Sequence, residues 1–142
     1  MKVLFDTNII LDILLDREPF SEVAALLLSK VERTEITGFL CATTITTIHY
    51  LASKVLGPEP ALKHIQSILG LFEIAPVNRL VLEKALVAQF TDFEDAVLYE
   101  AACHMGVNYI ITRNVSDFKK STLPVFTPDE FMNMLQTIDK EK

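Results

Sequence analysis

FEDAVLYEAACHMGVNYIITRNVSDF, residues 93–118, decides the fold. Its first half reads as a helix over Phe93–Met105. Counted from Asp95, the apolar Leu98, Tyr99 and Ala102 return at i+3, i+4 and i+7, which lays them along one face of a 3.6-residue turn. The second half changes to Tyr109–Thr112, which reads as a strand. A helix leading into such a strand is half of a βαβ unit, the crossover that parallel strands require.

The same alternation extends outward from this stretch. Val3–Phe5 is a first strand that ends at Asp6; Ile9, Ile10, Ile13 and Leu14, and after Pro19 Val23, Leu26–Leu28 and Val31, recur at helical spacing. Phe39–Ala42, entered through Gly38, reads as a second strand. Thr44, Thr47, Ile48 and Leu51 open a helix that Gly57, Pro58 and Pro60 end. A helix over Ala61–Leu71, a third strand over Phe72–Ala75 and a helix over Asn78–Phe90 lead back to the opening stretch. Beyond it, Thr127 as N-cap, Pro128 at the first helical position, Glu130 three after the cap and Phe126 opposite Phe131 mark the last helix with a capping box and a hydrophobic staple. The expectation is a three-layer α/β/α sandwich around a central, mainly parallel sheet, forming a single domain over 1–142.

Composition agrees. At 142 residues, half of them apolar, the chain has the length of one domain and the means to bury a core. Thirteen Lys and Arg against 19 Asp and Glu give a net charge of −6, which argues against a protein that coats nucleic acid by bulk electrostatics. Cys41 and Cys103, far apart and without a CxxC pair, suggest neither a zinc site nor a disulfide framework. MKVLFD lacks the apolar stretch of a signal peptide, and the longest apolar run, Val23–Leu28, is far short of a membrane span, so the expectation is a cytoplasmic protein without a membrane partner.

In an open α/β sheet, ligands bind beyond the carboxyl ends of the strands, so the residues that follow each strand carry the chemistry. Asp6-Thr7-Asn8 follows the first; Arg113-Asn114, with Asp117 three further on, follows the Tyr109 strand. Four glycines in all, none arranged as a phosphate-binding loop, argue against a nucleotide cofactor. The helix at 93 opens with Thr91-Asp92-Phe93-Glu94-Asp95. Here Thr91 with Glu94, or Asp92 with Asp95, has the spacing of a cap, and Glu94 and Asp92 also suit the helix dipole. Asp95 differs because it tops the buried stripe, and a buried carboxylate needs a partner.

If Asp6, Asp95 and Asp117 converge, their repulsion, about 1 kcal/mol per pair at 4 Å in water and about 4 at an effective dielectric of 20, forces protonation or the binding of a cation. All-oxygen donors suit a hard dication, Mg²⁺ or Mn²⁺, which supports metal-assisted hydrolysis of a phosphodiester.

These three motifs, Asp6-Thr7-Asn8, FEDAVLYEAA at 93–102 and TRNVSDF at 112–118, resemble the PIN-domain family, and the order of elements agrees over nearly the whole chain. The resemblance implies a small metal-dependent endoribonuclease with an RNA substrate, of the VapC kind, the toxin half of a type II toxin–antitoxin pair with an antitoxin protein as partner and room for a homodimer. It implies that Asp6, Asp95 and Asp117 are metal-binding, catalytic acids, with Asn114 as a further ligand, Asn8 as polar support and Glu94 as a lesser neighbour.

Two positions depart from that pattern. His49 stands where the family usually has Glu, and Asn114 where it often has Asp after Thr-Arg; both remove negative charge and weaken the hold on Mg²⁺. They motivate the alternative of a PIN-like module that keeps RNA or protein binding with weakened catalysis. The plainer reading of His49 is a packed, hydrogen-bonded side chain. Arg113 holds a phosphate or pairs with Asp117, Thr43 and Thr44 cap the helix that follows them, and Asp12 and Asp16 read as solvated. Asp6 also suits a phosphoaspartate nucleophile, but Asn8 stands where such phosphatases need a second acid.

Overall fold

The computed structural model describes residues 1–141. β1 (Lys2–Phe5) leads to α1 (Thr7–Leu14) and α2 (Ser21–Glu32); β2 (Thr37–Cys41) to α3 (Ala42–Leu56) and α4 (Pro58–Leu71); β3 (Glu73–Ala75) to α5 (Arg79–Val87) and α6 (Phe93–His104). β4 (Tyr109–Ile111), a 3-10 turn (Val115–Phe118), β5 (Val125–Phe126) and α7 (Pro128–Glu141) complete the chain. The sheet order is β3-β2-β1-β4-β5 and every pairing is parallel.

Alternation along β1 divides the core. Val3 and Phe5 point to one face, where they meet Ile9 and Ile10 of α1, Leu27 of α2, Ile48 of α3, Ile68 of α4 and Phe131 of α7. Leu4 points to the other, against Val81 and Ala85 of α5 and Val97, Leu98 and Ala101 of α6. Five helices therefore cover one face and two the other, and the expected three-layer sandwich is what forms. No helix of the described residues is long and apolar enough to cross a membrane.

Element boundaries moved for identifiable reasons. Gly38 lies inside β2, beneath Phe72: a Cβ there would sit 2.7 Å from the Phe72 ring and 3.0 Å from Val31, so the close approach of α4 to the sheet requires a residue without a side chain. Gly57, at φ +90°, ends α3 as expected, but Pro58 starts α4 instead of terminating α3, because proline fits the first helical position. The helix expected to reach Phe90 stops at Val87, and Gln89 adopts φ +60° between α5 and α6. β5, absent from the sequence reading, is too short to leave a pattern. The last helix forms as expected: Glu130 Oε1 accepts from Thr127 N–H at 2.8 Å, Thr127 Oγ1 accepts from Glu130 N–H at 3.2 Å, and the Phe126 and Phe131 rings lie 5.8 Å apart.

Successive strands run outward from β1 through β2 to β3, and the chain then jumps back to β4 on the other side of β1. The strand order thus reverses between β1 and β4, and the carboxyl ends of these two strands open the crevice where an α/β sheet offers its binding site.

Candidate active site at the strand switch point

Asp6 is the first residue past β1 and the N-cap of α1. Its amide donates to Ile111 O at 2.9 Å, which extends the β1–β4 ladder and fixes the backbone. Its carboxylate is 8% exposed; Oδ1 accepts from Thr7 N–H at 2.8 Å and Oδ2 from the Thr112 hydroxyl at 2.7 Å. Thr112, fully buried one residue past β4, thereby bridges the switch point, and its Oγ1 also accepts from Asn114 N–H at 3.0 Å. Burial pushes the Asp6 carboxyl above its ordinary value, the Thr112 and Thr7 hydrogen bonds oppose this, and the charges of Glu94 and Asp117 raise it further.

The facing wall is the start of α6. Of the two cap registers, the structure adopts Asp92, whose Oδ1 accepts from Asp95 N–H at 3.1 Å. Asp95 is half-buried, and its carboxyl is pushed up to about 7, first by burial and then by the charges of Asp6, Asp92, Asp117 and Glu94. Glu94 is exposed and accepts from the Thr47 hydroxyl of α3 at 3.5 Å. Asp117 is exposed on the 3-10 turn, its amide bonded to Asn114 O at 3.0 Å, and Asn114 is exposed beside it. Asp6, Asp95, Asp117, Glu94 and Asp92 therefore form one charged neighbourhood, although residues 6 and 117 are separated by most of the chain.

Among the described residues no three His, Cys, Asp or Glu side chains close into a ready-made metal-ligand cluster. A hard dication keeps much of its water and takes few protein ligands, so it does not require a closed cage. The donors are also of the right kind. Asn8 Nδ2 donates to Asp6 Oδ2 at 3.4 Å, while Asn8 Oδ1 is buried without a hydrogen-bond partner among the described residues, an oxygen acceptor left free beside the acids.

Several side chains lie elsewhere than expected. Arg113 does not pair with Asp117: its Nε lies 2.8 Å from Asp12 Oδ2 and its Nη2 donates to Asp12 Oδ1 at 3.3 Å. Asp12, read as solvated, is 1% exposed, because α1 turns it into the layer between helix and loop, where Arg113 and, at 3.7 Å, Arg17 supply the opposite charge. Thr43 and Thr44 cap nothing: Cys41 is the N-cap of α3 and makes no side-chain cap bond. Thr44 is buried instead, and its hydroxyl is shared with that of Thr7 at 2.9 Å, tying α3 to the turn that carries Asp6. His49 is half-buried with Nε2 3.4 Å from Ser53 Oγ.

Two residues that support the site escaped the sequence reading. Thr112 occupies the position after β4 that Asp6 occupies after β1, and that equivalence was a usable signal. Asp12 lies within the apolar run IILDILL at 9–15, and a lone acid between apolar neighbours on both sides signals a buried, partnered charge.

A family model described as PIN domain matches residues 2–116. The chain belongs to the PIN-domain family. It is 27% identical over 142 residues to the Ribonuclease VapC1 of Aquifex aeolicus (strain VF5), the match covering 96% of this chain and 97% of that one. Its fold is similar to the structure of a toxin–antitoxin complex from Klebsiella pneumoniae, with a TM-score of 0.67 and 25% identity over 89% of this chain and 97% of that chain. FitAcB from Neisseria gonorrhoeae shares the fold at a TM-score of 0.69 and 22% identity, again over 89% and 97% of the two chains. As a PIN domain, the protein carries its acids where the strand order of the fold reverses.

Proposed function

We propose that this PIN domain is a divalent-metal-dependent endoribonuclease, the toxin of a cytoplasmic toxin–antitoxin pair. The observation that carries the reading is the gathering of acids at the crevice: the half-buried Asp95 carboxyl, pushed up to about 7 first by burial and then by four neighbouring acids, sits in a site short of positive charge. Asp6, Asp95 and Asp117 would hold Mg²⁺ or Mn²⁺, with Asn114 as a further oxygen ligand and Glu94 at the rim. The ion, when bound, supplies a nucleophilic water at neutral pH and neutralises charge on the phosphodiester.

The chain's own residues prepare that event. Thr7 gives Oδ1 of Asp6 one hydrogen bond, and Thr112 and, more weakly, Asn8 give Oδ2 one each, which fixes the plane of the carboxylate and leaves a lone pair on Oδ1 for a cation. Asp92 holds the first turn of α6, and with it Asp95, against the crevice. The free Oδ1 of Asn8 is an acceptor for a hydrogen bond from a water in the site. With a net charge of −6, RNA is drawn in by local neutralisation of these acids and not by the field of the whole molecule. The ribonuclease relative and the toxin–antitoxin complex among the similar structures support RNA as substrate and an antitoxin protein as partner.

The test is cleavage of RNA with and without added Mn²⁺ or Mg²⁺. Wild type is expected to cut only with the ion, and Asp6→Asn and Asp95→Asn not at all. Cleavage that persists in both variants, or inert wild type, overturns the reading. An inert wild type that still bound RNA would favour a binding module, the alternative that His49 and Asn114, standing where the family has acids, suggest.

A further inference from the structure

The β4–turn segment carries three groups in succession: Thr112, which bonds Asp6; Arg113, which leaves the crevice; and Asn114, which with Asp117 lies on its rim. The segment's backbone has few ties. Thr112 N–H donates to Phe126 O at 3.0 Å, Asn114 N–H to Thr112 Oγ1 at 3.0 Å and Asp117 N–H to Asn114 O at 3.0 Å. Phe118, next to Asp117, anchors the end of the segment in the core beneath α5 and α6, and toward α1 on the opposite side the tie is Arg113. Its guanidinium meets Asp12 with two nitrogens and lies 4.0 Å from the centre of the Phe20 ring, so that it is held between a carboxylate and an aromatic face. Asp12 in turn sits on α1, the helix that Asp6 caps.

We propose that Asp12 is a positioning residue: through Arg113 it fixes the segment bearing Asn114 and Asp117 at a set distance from Asp6, and so sets the width of the crevice. One hydrogen bond, from Nη2 to Oδ1, and the close ion contact of Nε on Oδ2, which lacks hydrogen-bond geometry, hold the guanidinium against the carboxylate while the Phe20 ring backs its face. Arg17 Nε also faces the carboxylate, 3.7 Å from Oδ1, and among the described residues its side chain makes no hydrogen bond or ion pair with the segment, so it contributes charge balance without positioning.

The inference rests on the crevice being a cation site, and the experiment separates the two. Mn²⁺ affinity is measured on the full chain by titration of the free-ion paramagnetic signal, for wild type, Asp12→Asn, Arg113→Gln, the double variant and Arg17→Gln. Charge alone acts with opposite signs, since removing Asp12 takes a negative charge from the neighbourhood and removing Arg113 takes a positive one. Positioning makes both variants bind Mn²⁺ more weakly, by about tenfold or more, the loss typical of a supporting partner. The double variant is then no worse than the weaker single, and Arg17→Gln stays within about twofold of wild type.

Arg113→Gln binding as tightly as wild type, or more tightly, overturns the inference while leaving the nuclease reading intact. Wild type that binds no Mn²⁺ overturns both. If Asp12→Asn does not fold, Arg113→Gln decides alone, because its more exposed side chain is removed at lower cost.

Discussion

Asp6 and Asp12 lie six residues apart on one short helix, both are buried, and they have opposite surroundings. Two guanidiniums answer Asp12. Asp6 has only uncharged donors, the Thr112 hydroxyl, the Thr7 amide and the Asn8 side chain, with further acids across the crevice. A buried charge with its counter-charge built in belongs to the structure; one whose counter-charge must arrive from solution belongs to the function. Neither burial nor residue type distinguishes the two, and the identity of the neighbours does.

The strongest way to break this comparison is to neutralise each aspartate in turn. Asp6→Asn is expected to lower metal-dependent RNA cleavage by well over the roughly 10–100-fold lost with a merely supporting partner. At pH 8 without metal, its melting temperature should not fall, since a repelled charge has gone. Rate and thermal melts check the two halves of the prediction together. Asp12→Asn is expected to do the reverse to stability, because two guanidiniums lose their counter-ion. Breaking a buried pair costs about 3–5 kcal/mol, and the partial exposure of both arginines puts this case at the lower end or below, read from denaturant midpoints. Two aspartates that responded alike would remove the distinction.

A pH series sharpens it. The Asp95 carboxyl titrates near 7 when folded and near 4 when unfolded, so between these values the folded chain holds the extra proton. Stability of the metal-free protein therefore falls as pH rises from about 4 through 7, and Asp95→Asn flattens that slope. Added Mn²⁺ offsets the loss, more strongly at pH 8 than at pH 6, because the ion competes with the proton. Thr112→Val leaves the charges in place and removes one donor to Asp6; Mn²⁺ affinity should weaken by about tenfold. The smallest effect is expected far from both aspartates. Thr127→Ala removes the α7 cap for about 1 kcal/mol and leaves metal affinity unchanged.

The sequence made the architecture legible because the strands are short apolar runs and the helices carry their own start signals, as at Thr127-Pro128 and Asn78, whose Oδ1 accepts from Val81 N–H. The acids were legible for a related reason: Asp6 and Asp95 end or top apolar stretches, and an acid at such a position needs an explanation. Polar residues whose meaning is set by a distant partner were not legible. Arg113 was given a phosphate or Asp117, its neighbour in sequence, when its partner lies 101 residues away on α1. Thr44 looked like a cap from its place after a strand, yet the turn of α3 presents its hydroxyl to Thr7. The two-residue β5 exists only because β4 and α7 bracket it, with Tyr109, Phe126 and Phe131 rings within 6 Å of one another.

That last arrangement bears on how the molecule behaves among its own kind. A parallel sheet ends in two strands with unclaimed amides and carbonyls, each an invitation to a foreign strand. Here the outermost strands span only three residues, Glu73–Ala75, and two, Val125–Phe126, so neither margin offers a template long enough for sheets to join side by side. Crowded copies can then meet through their helices without fusing into fibrils.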